Sequence, residues 1–173
     1  MRDKMRKSYQ VQKEVAQKGC FEGEIALSEL KRLGELLQLD DAGVAGRSIA
    51  VNFEFWRSEL DVPMLAGRLQ TSLELECQRC LKPLELPMDV DFRLLIDASD
   101  ELLSHSSEDS VYSDDGYIDI AEVVEDELIL AIPLVAMHED TACNENWRVS
   151  ELQDETPAKE NPFAVLQQLK TTD

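Results

Sequence analysis

The sequence predicts an α+β fold: an antiparallel β-sheet meander with two or three packed helices and a mobile acidic loop. Three observations carry this. Apolar residues alternate with polar ones in three runs, at 49–55, 66–76 and 84–94. They recur at helical spacing in two others, at 28–38 and 119–131. The segments joining the three alternating runs are short, which favours antiparallel neighbours over crossovers. Three strands and a helix can bury one face on their own.

Taken in order, the chain opens on a basic segment. Residues 1–20 carry Arg2, Lys4, Arg6, Lys7, Lys13 and Lys18 against Asp3 and Glu14, without a clear period, and are expected to form a flexible arm. Cys20 closes it as a buried or spare thiol. A single α+β domain is expected over residues 21–143. Ser28 is the expected cap of the first helix, with Leu30, Leu33, Leu36 and Leu37 on one face. Ile49, Val51, Phe53 and Phe55 then share one face of a strand. A second strand ends at Glu76, and a third carries Leu84, Leu86, Met88, Val90 and Phe92. Residues 98–115 are rich in Ser and Asp and read as the acidic loop, with His105 a solvated histidine. Asp119 caps the second helix, followed by Ile120, Val123, Val124 and Leu128, and Pro133 stops it. Its carboxylates Glu122, Glu125, Asp126 and Glu127 are expected on a solvated face. Residues 144–173 read as a linker and a short C-terminal helix, with Asn161 as cap, Pro162 at the first position and Phe163, Leu166 and Leu169 as its apolar face.

Charge narrows the function classes. The chain has 36 acidic and 17 basic residues, a net charge of −19, and the basic excess sits in the first 20. So acidic a body repels polyanions at long range and suits a basic protein partner. No run is apolar enough to span a membrane and no export signal is evident, so a cytoplasmic protein with reduced thiols is expected. No Ser/His/Asp set, phosphate-cradling glycine loop or metal-type carboxylate cluster stands out, which argues against an enzyme.

The chemistry concentrates between the second and third strands. Cys77-Gln78-Arg79-Cys80 forms the tip of a hairpin, and Leu81-Lys82-Pro83 leads into the next strand. A Cys-x-x-Cys pair on a turn presents two thiolates, half of a tetrahedral zinc site. Redox use favours a helix N-terminus after the first Cys, and Pro83 and Pro87 argue against a helix here. A tip holding two reduced thiols is the plain alternative. His138 and Cys143 could supply the other half, giving a Cys3His set of Cys77, Cys80, His138 and Cys143 for one zinc ion. If the tip holds no metal, Arg79 and Lys82 make it a basic contact loop for a partner.

Four pieces of the chain, in order, resemble the YceD family, the large ribosomal RNA subunit accumulation proteins of bacteria. They are the hairpin Leu75-Glu76-Cys77-Gln78-Arg79-Cys80-Leu81-Lys82-Pro83, and Ile118-Asp119-Ile120 leading to Glu125-Asp126-Glu127-Leu128-Ile129-Leu130-Ala131-Ile132-Pro133. The pair His138 and Cys143 and the terminal Asn161-Pro162-Phe163-Ala164-Val165-Leu166 follow. The resemblance implies a role in the accumulation of large-subunit ribosomal RNA, hence in ribosome biogenesis; with no catalytic constellation in the sequence, a non-enzymatic factor binding precursor rRNA, a ribosomal protein or an assembly protein is expected. The resemblance carries no catalytic residues over. Many relatives hold two or more cysteines in the later part, where this chain has Cys143 and His138. A zinc- or redox-responsive RNA-processing cofactor or enzyme is the alternative.

Overall fold

The structure is a computed structural model that describes residues 6–39, 43, 45–97, 109–113 and 115–143. Its contacts divide the chain into two units, Met1–Met137 and His138–Asp173. In the first, a five-stranded sheet runs β2 (Cys20–Ala26), β3 (Ser48–Arg57), β4 (Pro63–Glu76), β5 (Pro83–Asp97) and β6 (Ser110–Tyr112), in that spatial order. The β2–β3, β3–β4 and β4–β5 pairs are antiparallel and β6 joins β5 in parallel. The α+β class and the three-strand meander are therefore as the alternation predicts. A two-stranded ribbon pairs β1 (Ser8–Gln10) with β7 (Tyr117–Asp119).

One face of the large sheet carries the core. Ile49, Val51, Phe53 and Phe55 on β3, Leu65, Leu69 and Leu73 on β4, and Phe92, Leu94 and Ile96 on β5 are buried. Tyr9, Phe21, Phe53 and Phe55 form an edge-to-face and stacked aromatic cluster, with ring centroids 4.8–6.4 Å apart. Gly67 stands opposite both Phe53 and Phe92 in the strand register. A Cβ there would lie 2.6 Å from the Phe92 ring and against the Asn52 carbonyl, so a residue without one is required.

Several expectations change. The segment read as a flexible arm is ordered from Ser8: β1 is followed by α1 (Val11–Gln17), with Tyr9, Val11 and Val15 buried. Val11 and Val15 are four apart, so one helical face docks while Lys13 stays exposed. β2 was not expected. Phe21 and Ile25 flank Gly23 on one face and Glu22 and Glu24 occupy the other, and the edge strand pairs along β3 from Cys20↔Glu54 to Ala26↔Ser48. Of the two alternatives for Cys20, the structure has the spare thiol: it is free and exposed.

The expected 28–38 helix is split into a 3-10 turn (Leu27–Glu29) and α2 (Lys31–Leu36). Leu30 leaves the helical region at φ −97°, ψ 81°, and no side chain at that position caps α2. Within the acidic segment, residues 110–112 form β6 rather than loop, while 98–108 and 114, His105 included, lie outside the described residues. The expected linker and C-terminal helix over 144–173 lie outside them as well.

The last helix, α3 (Ile120–Ala131), follows its sequence pattern closely. The Asp119 carboxylate accepts from the Ala121 N–H at 2.8 Å, and Ile120, Val123, Val124 and Leu128 are buried. Glu125 is a correction: it is 6% exposed rather than solvated. Its carboxylate accepts from the Leu33 backbone N–H at 3.0 Å and from Arg32 Nε at 2.8 Å. It thus caps the first turn of α2 from another helix, the task expected of Ser28. Arg32 also bridges to Asp126 at 2.8 Å. Glu127 is partly desolvated, which pushes its carboxyl above the ordinary range, with Asp109 and Asp126 adding to the push.

Candidate metal centre

β4 and β5 set the first two candidate ligands. Their pairing runs to Glu76↔Pro83, so the six residues between must reverse the chain. The Cys77 N–H donates to the Lys82 carbonyl at 2.9 Å, and the Leu81 N–H donates to the Cys77 carbonyl at 2.8 Å. Leu81 takes φ +57°, a left-handed conformation that a leucine adopts only at a cost of ~1 kcal/mol. The hairpin accepts this strain to close a knuckle carrying Cys77 and Cys80. Cys77 is fully buried and Cys80 half-buried.

The tip is anchored to the segment after α3. The Gln78 N–H donates to the Ala136 carbonyl at 2.8 Å, and Arg79 Nη2 approaches Met137 Sδ at 3.6 Å. His138 is the next residue. A local device then shapes the path to Cys143. The Asp140 side chain accepts from the Ala142 N–H at 2.8 Å, and the Cys143 N–H donates to the Asp140 carbonyl at 3.2 Å. This Asx-type cap winds Thr141–Cys143 into a single 3-10 turn. A spacing of five that looks loose in sequence is shortened by that turn.

The ligand atoms of Cys77, Cys80, His138 and Cys143 all lie within 4.8 Å of one another. These are the four residues singled out by their chemistry in the sequence. A structural zinc ion takes four such ligands in a tetrahedron, with Zn–S near 2.3 Å. Three soft thiolates and one imidazole suit zinc far better than magnesium or calcium, which take oxygen ligands.

Of the two tip cations, Arg79 is half-buried beside Met137 and Lys82 is exposed. The acidic positions on α3 take no part in the four-residue set; Glu125 and Asp126 hold α2 through Arg32. Sequence reasoning missed Asp140 and the Ala136 carbonyl. Asp140 had a readable signal as an Asx residue immediately before the turn, whereas the Ala136 contact has none, being made by backbone.

The family model described as "Large ribosomal RNA subunit accumulation protein YceD" matches residues 65–170. That span holds the hairpin and all four candidate ligands. A "Large ribosomal RNA subunit accumulation protein YceD" from Haemophilus influenzae is 33% identical over 159 residues, which cover 87% of this chain and 87% of the relative. No solved structure matches the chain. A family match over the greater part of the chain, joined to a relative this similar along nearly its whole length, makes the chain a member of the YceD family.

Proposed function

We propose that the protein is a non-enzymatic factor required for the accumulation of large-subunit ribosomal RNA, acting by binding a protein component of the assembling subunit. The observation that carries this is the similarity to the Haemophilus influenzae relative, which bears that name and is covered over 87% of its length. The net charge of −19 supports a protein partner over direct contact with rRNA phosphates. Arg79 and Lys82 give the hairpin tip a local positive spot for a partner carboxylate. The test is a clean deletion strain. Large-subunit rRNA is expected to fall relative to small-subunit rRNA and to recover on complementation; equal levels in deletion and parent overturn the proposal. Purified protein is expected to leave rRNA uncut and unmodified.

The same reading gives Cys77, Cys80, His138 and Cys143 a structural role, holding one zinc ion. When bound, zinc supplies folding energy through four protein ligands, with no open position for a substrate. Supporting this, Cys77 is buried, the knuckle is held by backbone hydrogen bonds, and the Asp140 cap turns Cys143. Elemental analysis is expected to find about one zinc per chain. Cys77→Ser is expected to release it and lower Tm, and a metal-free native chain whose Tm is unmoved by that substitution overturns the site.

A further inference from the structure

Beside the hairpin tip, and wholly within residues 36–136, the first unit carries an open groove of about 800 Å³. Leu36, Leu75, Leu81, Ile129, Ile132 and Leu134 line it. Several of these are apolar side chains displayed to solvent: Leu134 is 98% exposed, Leu81 69% and Leu36 53%. Single exposed leucines are ordinary, but leucines from four separate elements converging on one concavity are not. The surroundings hold them there. α3 ends at Ala131, Ile132 is extended, and the Gln78–Ala136 hydrogen bond of 2.8 Å ties the loop that follows to the tip. Leu81 is held by the left-handed turn of the knuckle. The exposed leucines are thus mounted on fixed backbone.

Charge selects the occupant. Among the described lining residues the charged ones are Glu74 and Glu76, and no Lys or Arg is present; Arg79 and Lys82 share the tip but do not line the groove. Glu74 also pairs with Arg47 at 2.8 Å. An apolar floor with an acidic rim, on a chain of net charge −19, complements a segment with apolar anchors on one face and Lys or Arg on the other. Nucleic acid is disfavoured by the same rim.

We infer that this groove is the docking site for a basic amphipathic segment of a partner protein. The inference rests on the proposed binding role and specifies where that binding occurs and what chemistry it takes. It is tested on the purified full chain, so a normal rRNA level in the deletion strain would remove the cellular role and leave the groove to be judged by binding alone.

The probe is a fluorescein-labelled 16-residue helical peptide of Leu and Lys, with Leu at i, i+3, i+4 and i+7. Its controls replace Leu by Gln, or Lys by Glu. Binding by the Leu/Lys peptide is expected, at least tenfold tighter than by either control. Leu134→Asp is expected to weaken it at least tenfold with unchanged Tm, since that side chain is solvent-exposed already, while Glu59→Lys in the β3–β4 turn, at the other end of β4 from Glu74 and Glu76, changes it less than threefold. Equal binding of the Gln control, or full binding by Leu134→Asp, overturns the inference. A Leu134→p-benzoylphenylalanine chain is expected to crosslink to the peptide. Crosslinking instead to a second copy, or to residues 144–173 of its own chain, with the peptide unable to compete, also overturns it.

Discussion

At the scale of single residues, the sharpest constraint is Gly67. It faces Phe92 across β4–β5 and Phe53 across β3–β4, and the space its missing side chain leaves is filled by the Phe92 ring. Gly67→Ala is expected to destabilise the fold by ~1–3 kcal/mol, the range for overpacking a filled core, read as a lower Tm with the same far-UV spectrum. Residue chemistry was legible where it depends on type alone. Cys77 and Cys80 declare a knuckle, and His138 and Cys143 are soft ligands in a chain with few others. What the sequence could not show is the local backbone around each pair: the Gln78–Ala136 bond that holds the tip and the Asp140 turn before Cys143 leave no periodic trace. Glu125 was misread for a related reason. A glutamate inside an acidic run reads as solvated, and only the placement of α2 against α3 shows that its carboxylate is needed at the Leu33 N–H.

Among the elements, the long strands were legible because their alternation is unbroken, and α3 because its cap, apolar face and stop all agree. β2 escaped because Gly23 replaces the middle apolar residue of a seven-residue alternation. α2 is only six residues long and its start is dictated by a remote carboxylate rather than by Ser28. The β4–β5 pair also sets a pH response. Arg68 holds Asp89 through two hydrogen bonds of 2.6 Å, which keeps the Asp89 carboxyl below its ordinary value of 3.8. A carboxyl lowered by folding adds stability above its unfolded pKa, and this is lost as pH falls through the folded value. Asp89→Asn should therefore shrink the drop in Tm on acidification below about pH 4, measured against the parent chain. Glu127 has the opposite sign. Desolvation raises its carboxyl above 4.5, so the folded state is favoured at low pH and loses that advantage as pH rises through the folded value. Glu127→Gln is expected to raise Tm at neutral pH and to change it little near pH 4 or below; a neutral-pH Tm that falls would count against the desolvation argument.

For the whole molecule, net charge makes a prediction that composition alone could carry. At ~150 mM salt the purified chain should not retard an rRNA fragment; tight retardation that weakens steeply with added salt would mean that the basic residues near the N-terminus outweigh the acidic body. The sheet adds a consequence of its own. β6 pairs with only the last three residues of β5, Leu95 to Asp97, so among the described residues β5 from Leu84 to Leu94 has a strand neighbour on the β4 side alone. A long strand with one free margin is a template on which another chain can extend the ladder, the first step towards aggregates. β5 carries the devices that discourage this. Pro83 and Pro87 each lack a donor, and Asp89 and Asp91 place charge along the same stretch. Pro87, which a central strand would hardly tolerate, is expected to act as a guard against self-assembly. Pro87→Thr should leave the monomer folded and increase light scattering on prolonged incubation at high protein concentration.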